Sequence, residues 1–188
     1  MSPILGIWAS QNYSRIPSTG FVSIATTTVG AGGSSTITFS AIPQVYKHLQ
    51  IRAIGRGTFA DTNTYPDIRF NSDSGSNYSW HILDGYGSSV SASGAANQTS
   101  AGVPTFTAAQ SGGNIFGAMV LDILDYQDTN KYKTVRYLGG HDQNGSGIIR
   151  LGSGSWRNTN AITSVSFLFT SQNWAQYSQF ALYGIQGA

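Results

Sequence analysis

Residues 114–140 read NIFGAMVLDILDYQDTNKYKTVRYLGG, and this stretch is the strongest indication of the fold. Residues 115–124 are almost continuously apolar, as in a strand that is covered on both faces. Residues 127–130 form a polar turn, and residues 131–138 alternate and are rich in residues that favour β-strands. The stretch therefore predicts a central β-hairpin, which the other strands extend or cover.

The composition favours strands over helices along the whole chain. Charged residues make up only 10% of the 188 residues, against about 25% in a typical soluble protein. All 8 acidic residues are aspartates, and lysine occurs only at positions 47, 131 and 133. Because Glu and Lys supply the exposed faces of most helices, few amphipathic helices can form. The 23 glycines and 10 tyrosines, together with Ser and Thr, favour strands and turns instead.

Charge, cysteine content and apolar runs exclude several classes of protein. The net charge is only +2 and no basic run is present, so we expect no nucleic-acid partner. The absence of cysteine excludes disulfides and thiolate metal sites. The longest apolar run is about ten residues, whereas a membrane span needs about 20. No signal peptide is recognisable, so we expect synthesis in a cytoplasm.

Further strands are predicted on both sides of the central hairpin. Residues 21–29 and 36–42 flank a glycine-rich turn at 30–33 and predict a second hairpin. Other stretches alternate or are rich in β-formers: 46–54, 66–71, 78–83, 148–151, 162–169 and 180–185. Their inward side chains should be Leu49, Ile51, Ala53, Ile68, Phe70, Val165, Phe167 and Phe169. About ten short strands separated by turns predict an all-β fold, a two-sheet antiparallel β-sandwich that is jelly-roll-like.

The chain begins with a segment that differs from the rest. Residues 1–20 precede the first clear strand, and we separate them as an extended N-terminal arm from one β-sandwich domain at 21–188. An apolar cluster lies in the arm: Ile4, Leu5, Ile7 and Trp8. The cluster is either an edge strand on the domain or a docking segment that inserts into a partner, because exposed apolar termini are otherwise a liability.

A long stretch without charge, residues 85–113, interrupts the pattern of strands. It is rich in Ser, Gly and Ala, with a short strand predicted at 103–107. Such long connections are often functional or ordered by a neighbour. We expect a contact loop here, with an ordinary surface excursion as the alternative.

No catalytic constellation is recognisable. Nucleophilic hydrolysis requires a nucleophile, a base and an orienting acid, and the G-x-S-x-G motif is absent. Glycosidases usually use paired carboxylates, but the odd spacing of Asp122 and Asp125 places them on opposite faces of a strand. Each aspartate is expected either to pair with an Arg or Lys of a neighbouring strand or to cap the end of the strand, and His48 is expected to form hydrogen bonds. The oxygen-rich segments 71–77 and 142–146 are expected to be plain turns. We predict a non-enzymatic protein without cofactor or metal.

Glycan binding is the alternative chemistry. Trp156 with Arg157, and Trp174, lie in loop-like stretches, and aromatic faces stack on sugar rings. Packing of these tryptophans in the core is the other interpretation. If both tryptophans are buried, the glycan hypothesis loses most of its support.

Several phrases resemble small structural proteins of tailed bacteriophages, including those of cyanobacteria. They are SPILGIWAS at 2–10, TFSAIPQVYKHLQIRAIGR at 38–56, IRFNSDSGSNYSWHILDG at 68–85, LDILDYQDTNKYKTVRYLGG at 121–140 and FALYGIQGA at 180–188.

The resemblance implies a virion component, either a capsid decoration (cement) protein or a head or tail fibre. Its partners would be the major capsid protein or other virion proteins. The resemblance also implies a homo-oligomer, with a trimer favoured because trimers fit quasi-threefold positions. The low surface charge agrees with assembly, since fewer charges must be desolvated. The alternative function is a tail or fibre-tip module that recognises a host surface glycan.

Overall fold

The computed structural model describes residues 20–187, and this part of the chain forms strands and no helix. The prediction of an all-β protein is therefore confirmed. The strands are β1 (Phe21–Thr28), β2 (Thr36–Phe39), β3 (His48–Gly55), β4 (Asn63–Thr64), β5 (Asp67–Phe70), β6 (Tyr78–Tyr86), β7 (Ser89–Gln98), β8 (Phe106–Thr107), β9 (Gly117–Leu124), β10 (Lys133–Asp142), β11 (Gly147–Trp156), β12 (Val165–Leu168) and β13 (Gln179–Ile185). The predicted N-terminal docking residues, Ile4, Leu5, Ile7 and Trp8, lie outside the described residues.

An eight-stranded antiparallel sheet carries most of the structure, in the order β1-β13-β3-β9-β10-β11-β6-β7. The predicted central hairpin is confirmed, because β9 and β10 pair with Val120 opposite Leu138. The hairpin occupies the fourth and fifth positions of the sheet. Its position explains why the sequence signal is strongest here, since these two strands have neighbours on both sides.

A second sheet of three strands, in the order β2-β12-β5, contacts the large sheet through aromatic side chains. The ring of Phe167 in β12 lies 5.2 Å from that of Phe180 in β13. The ring of Phe70 in β5 lies 5.8 Å from that of Trp156 in β11. Full burial of a large apolar side chain contributes about 1.5–3 kcal/mol. These contacts make one core between the two sheets.

The predicted inward residues lie in that core. Every one of them is buried: Leu49, Ile51, Ala53, Ile68, Phe70, Val165, Phe167 and Phe169. The prediction that β9 is covered on both faces is wrong, because Val120 and Leu124 are exposed. Buried residues alternate with exposed or partly exposed ones along β9, so only one face of this strand is covered.

The predicted hairpin between residues 21–29 and 36–42 is also wrong. β1 pairs with β13 in the large sheet, whereas β2 pairs with β12 in the small one. The glycine-rich turn instead carries the chain from one sheet to the other, and Gly33 closes it by donating its amide hydrogen bond to the carbonyl of Gly30. Gly33 has φ +69°, which favours glycine.

The expected loop at residues 85–113 contains a ten-residue strand, β7. β7 pairs with β6 and forms the edge of the large sheet. Ser and Ala do not signal a strand by hydrophobicity, but their small side chains fit an edge where backbone hydrogen bonds hold the chain. The predicted short strand at 103–107 corresponds to β8, which pairs with β4.

Candidate interaction surface

The outer face of the large sheet carries an apolar row that crosses four strands. Val120 lies opposite Leu138, Leu138 lies opposite Leu151, and Leu151 lies opposite Leu83. Side chains directly opposite each other in an antiparallel pair lie close together on one face. The four side chains therefore form a continuous exposed stripe.

A second row runs beside the first, two residues further along each strand. It contains Ile54, Ala118, Gly140 and Ile149 in register. We call the large side chains of both rows the apolar platform. The platform consists of Ile54, Leu83, Val120, Leu138, Ile149 and Leu151, which are between 41% and 58% exposed.

The size of the platform makes it a candidate contact site. Five strands spaced about 4.8 Å apart and two rows of side chains give an area of roughly 300 Å². The largest apolar patch on a typical monomer is about 300–600 Å² and is often functional. Single exposed apolar residues need no explanation, but six in adjacent positions indicate a contact surface.

A depression of about 760 Å³ lies over part of the platform, near the turn between β10 and β11. Apolar side chains and glycines line most of it, with Arg52 and Asp142 among the polar groups. Gly140 is required here because a Cβ atom would lie 2.2 Å from the carbonyl oxygen of Ile148. Glycines thus keep the floor of the depression free of side chains.

Polar side chains border the platform on the same face. Asp122 pairs with Arg136 at 3.2 Å and accepts a hydrogen bond of 2.9 Å from Gln50. The expected pairing of Asp122 with a neighbouring strand is therefore confirmed. The boundary between the apolar platform and the polar part of this face is sharp, because Asp122 is two residues from Val120 in the same strand.

Arg52 forms a second part of the border. Its guanidinium lies 4.8 Å from the ring centroid of Phe21 and 5.2 Å from that of Tyr183. The charge is held over two aromatic faces beside Val120, its partner in register. Cation–π contacts of this kind contribute about 0.5–1 kcal/mol at exposed sites.

Trp156, one of the residues proposed for glycan contact, is 1% exposed. Its indole stacks on Tyr78 and donates a hydrogen bond of 2.8 Å to the carboxylate of Asp73. Burial opposes ionisation of Asp73, but this bond and others from neighbouring groups lower its pKa. Arg157 is exposed and donates a hydrogen bond to Asn97. The structure thus separates Trp156 from any glycan-accessible surface.

Trp174, the other candidate, is 0% exposed. Its ring lies 5.1 Å from that of Phe106 and 4.8 Å from that of Phe180. Its indole nitrogen donates a hydrogen bond of 3.5 Å to the carbonyl of Phe167. Both tryptophans pack in the core, so the condition under which glycan stacking loses most of its support is met.

Asp125 and His48 lie together at the end of the central hairpin strand. Asp125 pairs with Lys131 at 2.5 Å and with Lys47 at 2.9 Å, as expected for an aspartate with a neighbouring Lys. Hydrogen bonds from Lys131 and Lys47 lower the pKa of Asp125 to about 2. His48 accepts a hydrogen bond from the backbone amide of Asp125. The cluster is structural, since it ties β3 to the hairpin turn.

Within residues 20–187 no group of three or more metal-ligating His, Asp or Glu side chains is present. The turn at 71–77 uses its carboxylate internally: Asp73 accepts hydrogen bonds from Gly75, Asn77 and Trp156. In the turn at 142–146, Asp142 accepts one from the amide of Asn144. Both segments are turns, as the sequence predicted.

Sequence reasoning missed three buried charged residues. Arg150 and Asp84 form an ion pair in the interior, and Lys133 donates hydrogen bonds to the carbonyls of Asp128, Lys131 and Thr159. The alternation of β11 contained a signal for Arg150, because it shares its face with the buried Ile148.

Among residues 20–187 there is no helix long and apolar enough to cross a membrane. Comparison with protein-family models, with curated proteins and with solved structures found no match to this chain.

Proposed function

We propose that the chain is a non-enzymatic structural protein of a tailed-phage virion. It would attach to the particle surface as a capsid decoration (cement) or fibre subunit and act through protein–protein contacts. The sequence resemblance supports the virion assignment. The observation that supports a contact role is the apolar platform, in which six exposed apolar side chains lie together on one face of the large sheet.

We further propose that the two packed sheets form a jelly-roll-like β-sandwich that presents the platform to the particle. The sandwich core makes the outer face rigid, so little conformational entropy is lost when a partner binds. No moving part is required for such a role. The physics would be burial of apolar area and shape fit.

The platform alone is too small to hold the protein on a particle. Its area of roughly 300 Å² is less than half of the about 800 Å² that each partner buries in a stable complex. The proposed docking residues of the N-terminal arm would supply the remainder. They are Ile4, Leu5, Ile7 and Trp8. The proposed mode of attachment therefore has two parts, the arm and the platform.

Quantitative mass spectrometry of purified particles tests the proposal directly. We expect one copy per major capsid protein or per capsomer for a decoration protein, and a few copies per particle for a fibre subunit. Absence of the protein from purified particles would refute the proposal.

Two variants test the mode of attachment. Deletion of residues 2–10 and the substitution Leu138→Asp should each leave a folded domain that joins particles less well. Thr134→Asp is the matched control for the second, because Thr134 is exposed on the same strand outside the platform. Normal incorporation of both variants would exclude attachment through these surfaces.

Glycan binding at a fibre tip has lost its main support. That support was the expectation that Trp156 and Trp174 expose their indole faces. Both side chains lie in the core instead. A copy number of a few per particle would return attention to it.

A further inference from the structure

The edge strand β7 has features of a strand that pairs with another chain. It is ten residues long and pairs only with β6, so its other side has no strand partner within the described residues. Most of its side chains are exposed. Val90 in this strand is 76% exposed, the highest value among the large apolar side chains of residues 20–187. An edge of this kind presents unpaired backbone amides and carbonyls to solvent.

β7 carries little of the protection that proteins usually give to such an edge. Charged side chains, proline, bulges and covering loops are the common protective features. Residues 89–98 read SVSASGAANQ and contain neither charge nor proline. The one irregularity in the pairing is a bulge near the end of β7, where Asn97 is left without a partner between Ala96, opposite Ser79, and Gln98, opposite Tyr78. Eight consecutive residues, 89–96, are left as a regular and neutral edge.

The opposite edge of the sheet, β1, is shorter, and its pairing is interrupted near the middle of the strand. A bulge between Ser23 and Ala25 interrupts its pairing with β13. The ring of Phe21 at its start is held by the guanidinium of Arg52. The two edges therefore differ, and β7 is the better candidate for strand addition.

The sequence of β7 is suited to pairing with a second copy of itself. Ser89, Ser91 and Ser93 alternate with Val90 and Ala92. In a two-fold antiparallel pair, each residue lies opposite a residue of the other copy that points to the same face of the sheet. A serine hydroxyl would therefore lie opposite another hydroxyl or a small side chain. Because the strand carries no charge, such a pair brings no like charges together.

We propose that two copies of the chain associate through antiparallel pairing of β7 with β7, which joins their large sheets into one sheet. A ten-residue edge is about 34 Å long and about 10 Å thick, so each copy buries roughly 340 Å². Stable complexes bury about 800 Å² per partner. We therefore expect a weak dimer in solution, with dissociation in the micromolar range or above.

The pairing would also enlarge the surface described above. In register, Ala92 lies beside Leu83 of the platform, and Val90 lies beside Gly85 of the second row. Two platforms would then flank the joined β7 strands on the same face of one continuous sheet. This inference does not rest on the virion proposal, because it concerns contacts between copies alone.

Cysteine trapping tests the pairing, since the chain contains no cysteine of its own. Ser91→Cys, Ala92→Cys and Ser93→Cys each place one thiol near the middle of β7. Facing residues of an antiparallel pair have Cα atoms about 4.5–5.5 Å apart, within the range that a disulfide spans. Under mild oxidation, at least one variant should form a covalent dimer at least tenfold faster than Thr26→Cys, the control on the β1 edge. Equal rates for all four variants would overturn the proposal.

Charge insertion provides the second test, by sedimentation of the full chain over a range of concentrations. Wild-type protein should approach the mass of a dimer at high concentration, and Ala92→Lys should remain a monomer because two lysines would meet near the two-fold axis. Thr26→Lys, the same charge change on the other edge, should behave as wild type. A monomeric wild type, a trimer, or dissociation by Thr26→Lys alone would overturn the proposal. Incorporation of Ala92→Lys into particles is measured separately, so failure of the virion proposal remains distinguishable.

Discussion

Arg150 of β11 and Asp84 of β6 face each other in the interior, and the guanidinium donates two hydrogen bonds of 2.6 Å to the carboxylate. Their side chains are 6% and 5% exposed. Arg150 also donates to the carbonyl of Val103 and lies over the ring of Tyr65. Burial opposes the charge of Arg150, but the hydrogen bonds and charge of Asp84 outweigh it, and the pKa of Arg150 is raised. The pair joins neighbouring strands and the segment before β8.

Removal of one partner of this pair should be more harmful than removal of both. Asp84→Leu or Arg150→Met leaves a buried charge without its counter-ion, and such changes cost about 3–5 kcal/mol. The double variant Asp84→Leu with Arg150→Met leaves no unpaired charge and should recover a substantial part of that loss. Urea unfolding of all four proteins gives the coupling energy. Additive losses would show that the two side chains do not depend on each other.

The bond between Trp156 and Asp73 predicts a structural role for the indole. Trp156→Phe retains the ring packing but loses the hydrogen bond to a charged acceptor, which should cost about 1–3 kcal/mol. Trp156→Ala also removes the packing and should cost about 3–5 kcal/mol.

The control for Trp156 is Tyr132→Ala, since Tyr132 is exposed and its loss should change stability by less than about 0.5 kcal/mol. Thermal unfolding measures all three variants. If Trp156→Ala were as stable as wild type, the indole would be free for another role and the glycan hypothesis would regain support.

Replacement by alanine should lower the stability of the protein at Gly154 and leave it nearly unchanged at Gly113. A Cβ atom at Gly154 would lie 1.6 Å from the carbonyl oxygen of Ala101, a buried residue whose amide bonds to Ile68. Gly154→Ala must therefore displace the backbone that crosses the inner face of the sheet, at a cost of about 1–3 kcal/mol or more.

The matched control is Gly113→Ala, because nothing lies within 4 Å of a Cβ atom at Gly113. Its effect should stay within about 0.5 kcal/mol. Chemical denaturation compares the two variants. Equal stabilities would show that the backbone at Ala101 moves aside without lowering the free energy of unfolding.

The sequence predicted the strands whose residues alternate, because burial on one face leaves a period of two. Leu49 and Ile51 in β3 and Phe167 in β12 are examples, all in the core. The sequence did not predict the pairing of strands over long distances. β1 and β2 are adjacent in the chain and separated by a turn, yet they lie in different sheets, and no local pattern distinguishes this from a hairpin.

Strand β7 and the platform show two other limits of sequence patterns. β7 is held by backbone hydrogen bonds to β6, and its Ser and Ala residues carry no hydrophobic signal. The apolar run 115–124 predicted a strand that is buried on both faces. Val120 and Leu124 are exposed, although they are the same types of residue as those in the core. The sequence alone does not distinguish an apolar residue that is exposed on the folded chain from one that is buried in its core. The candidate contact surface therefore became visible only when the sheet order placed Leu138 beside Leu151.

The last prediction concerns the dependence of stability on pH. The pKa of Asp125 falls from its ordinary value of 3.8 to about 2 because Lys131 and Lys47 donate to its carboxylate. Since the folded-state pKa is depressed, the stabilisation is fully present above about pH 4 and is lost as pH falls through about 2. Asp125→Asn should therefore be less stable than wild type at pH 7, and the difference should shrink as the pH is lowered from 5 to 2. Added salt should also reduce the difference at pH 7, because both lysines are about half exposed and are screened.

Asp142→Asn, in the turn between β10 and β11, is the control, and urea unfolding at each pH is the measurement. A difference that is constant from pH 5 to pH 2 would mean that the backbone conformation of Asp125, with φ +48°, and not its charge, is what the substitution disturbs.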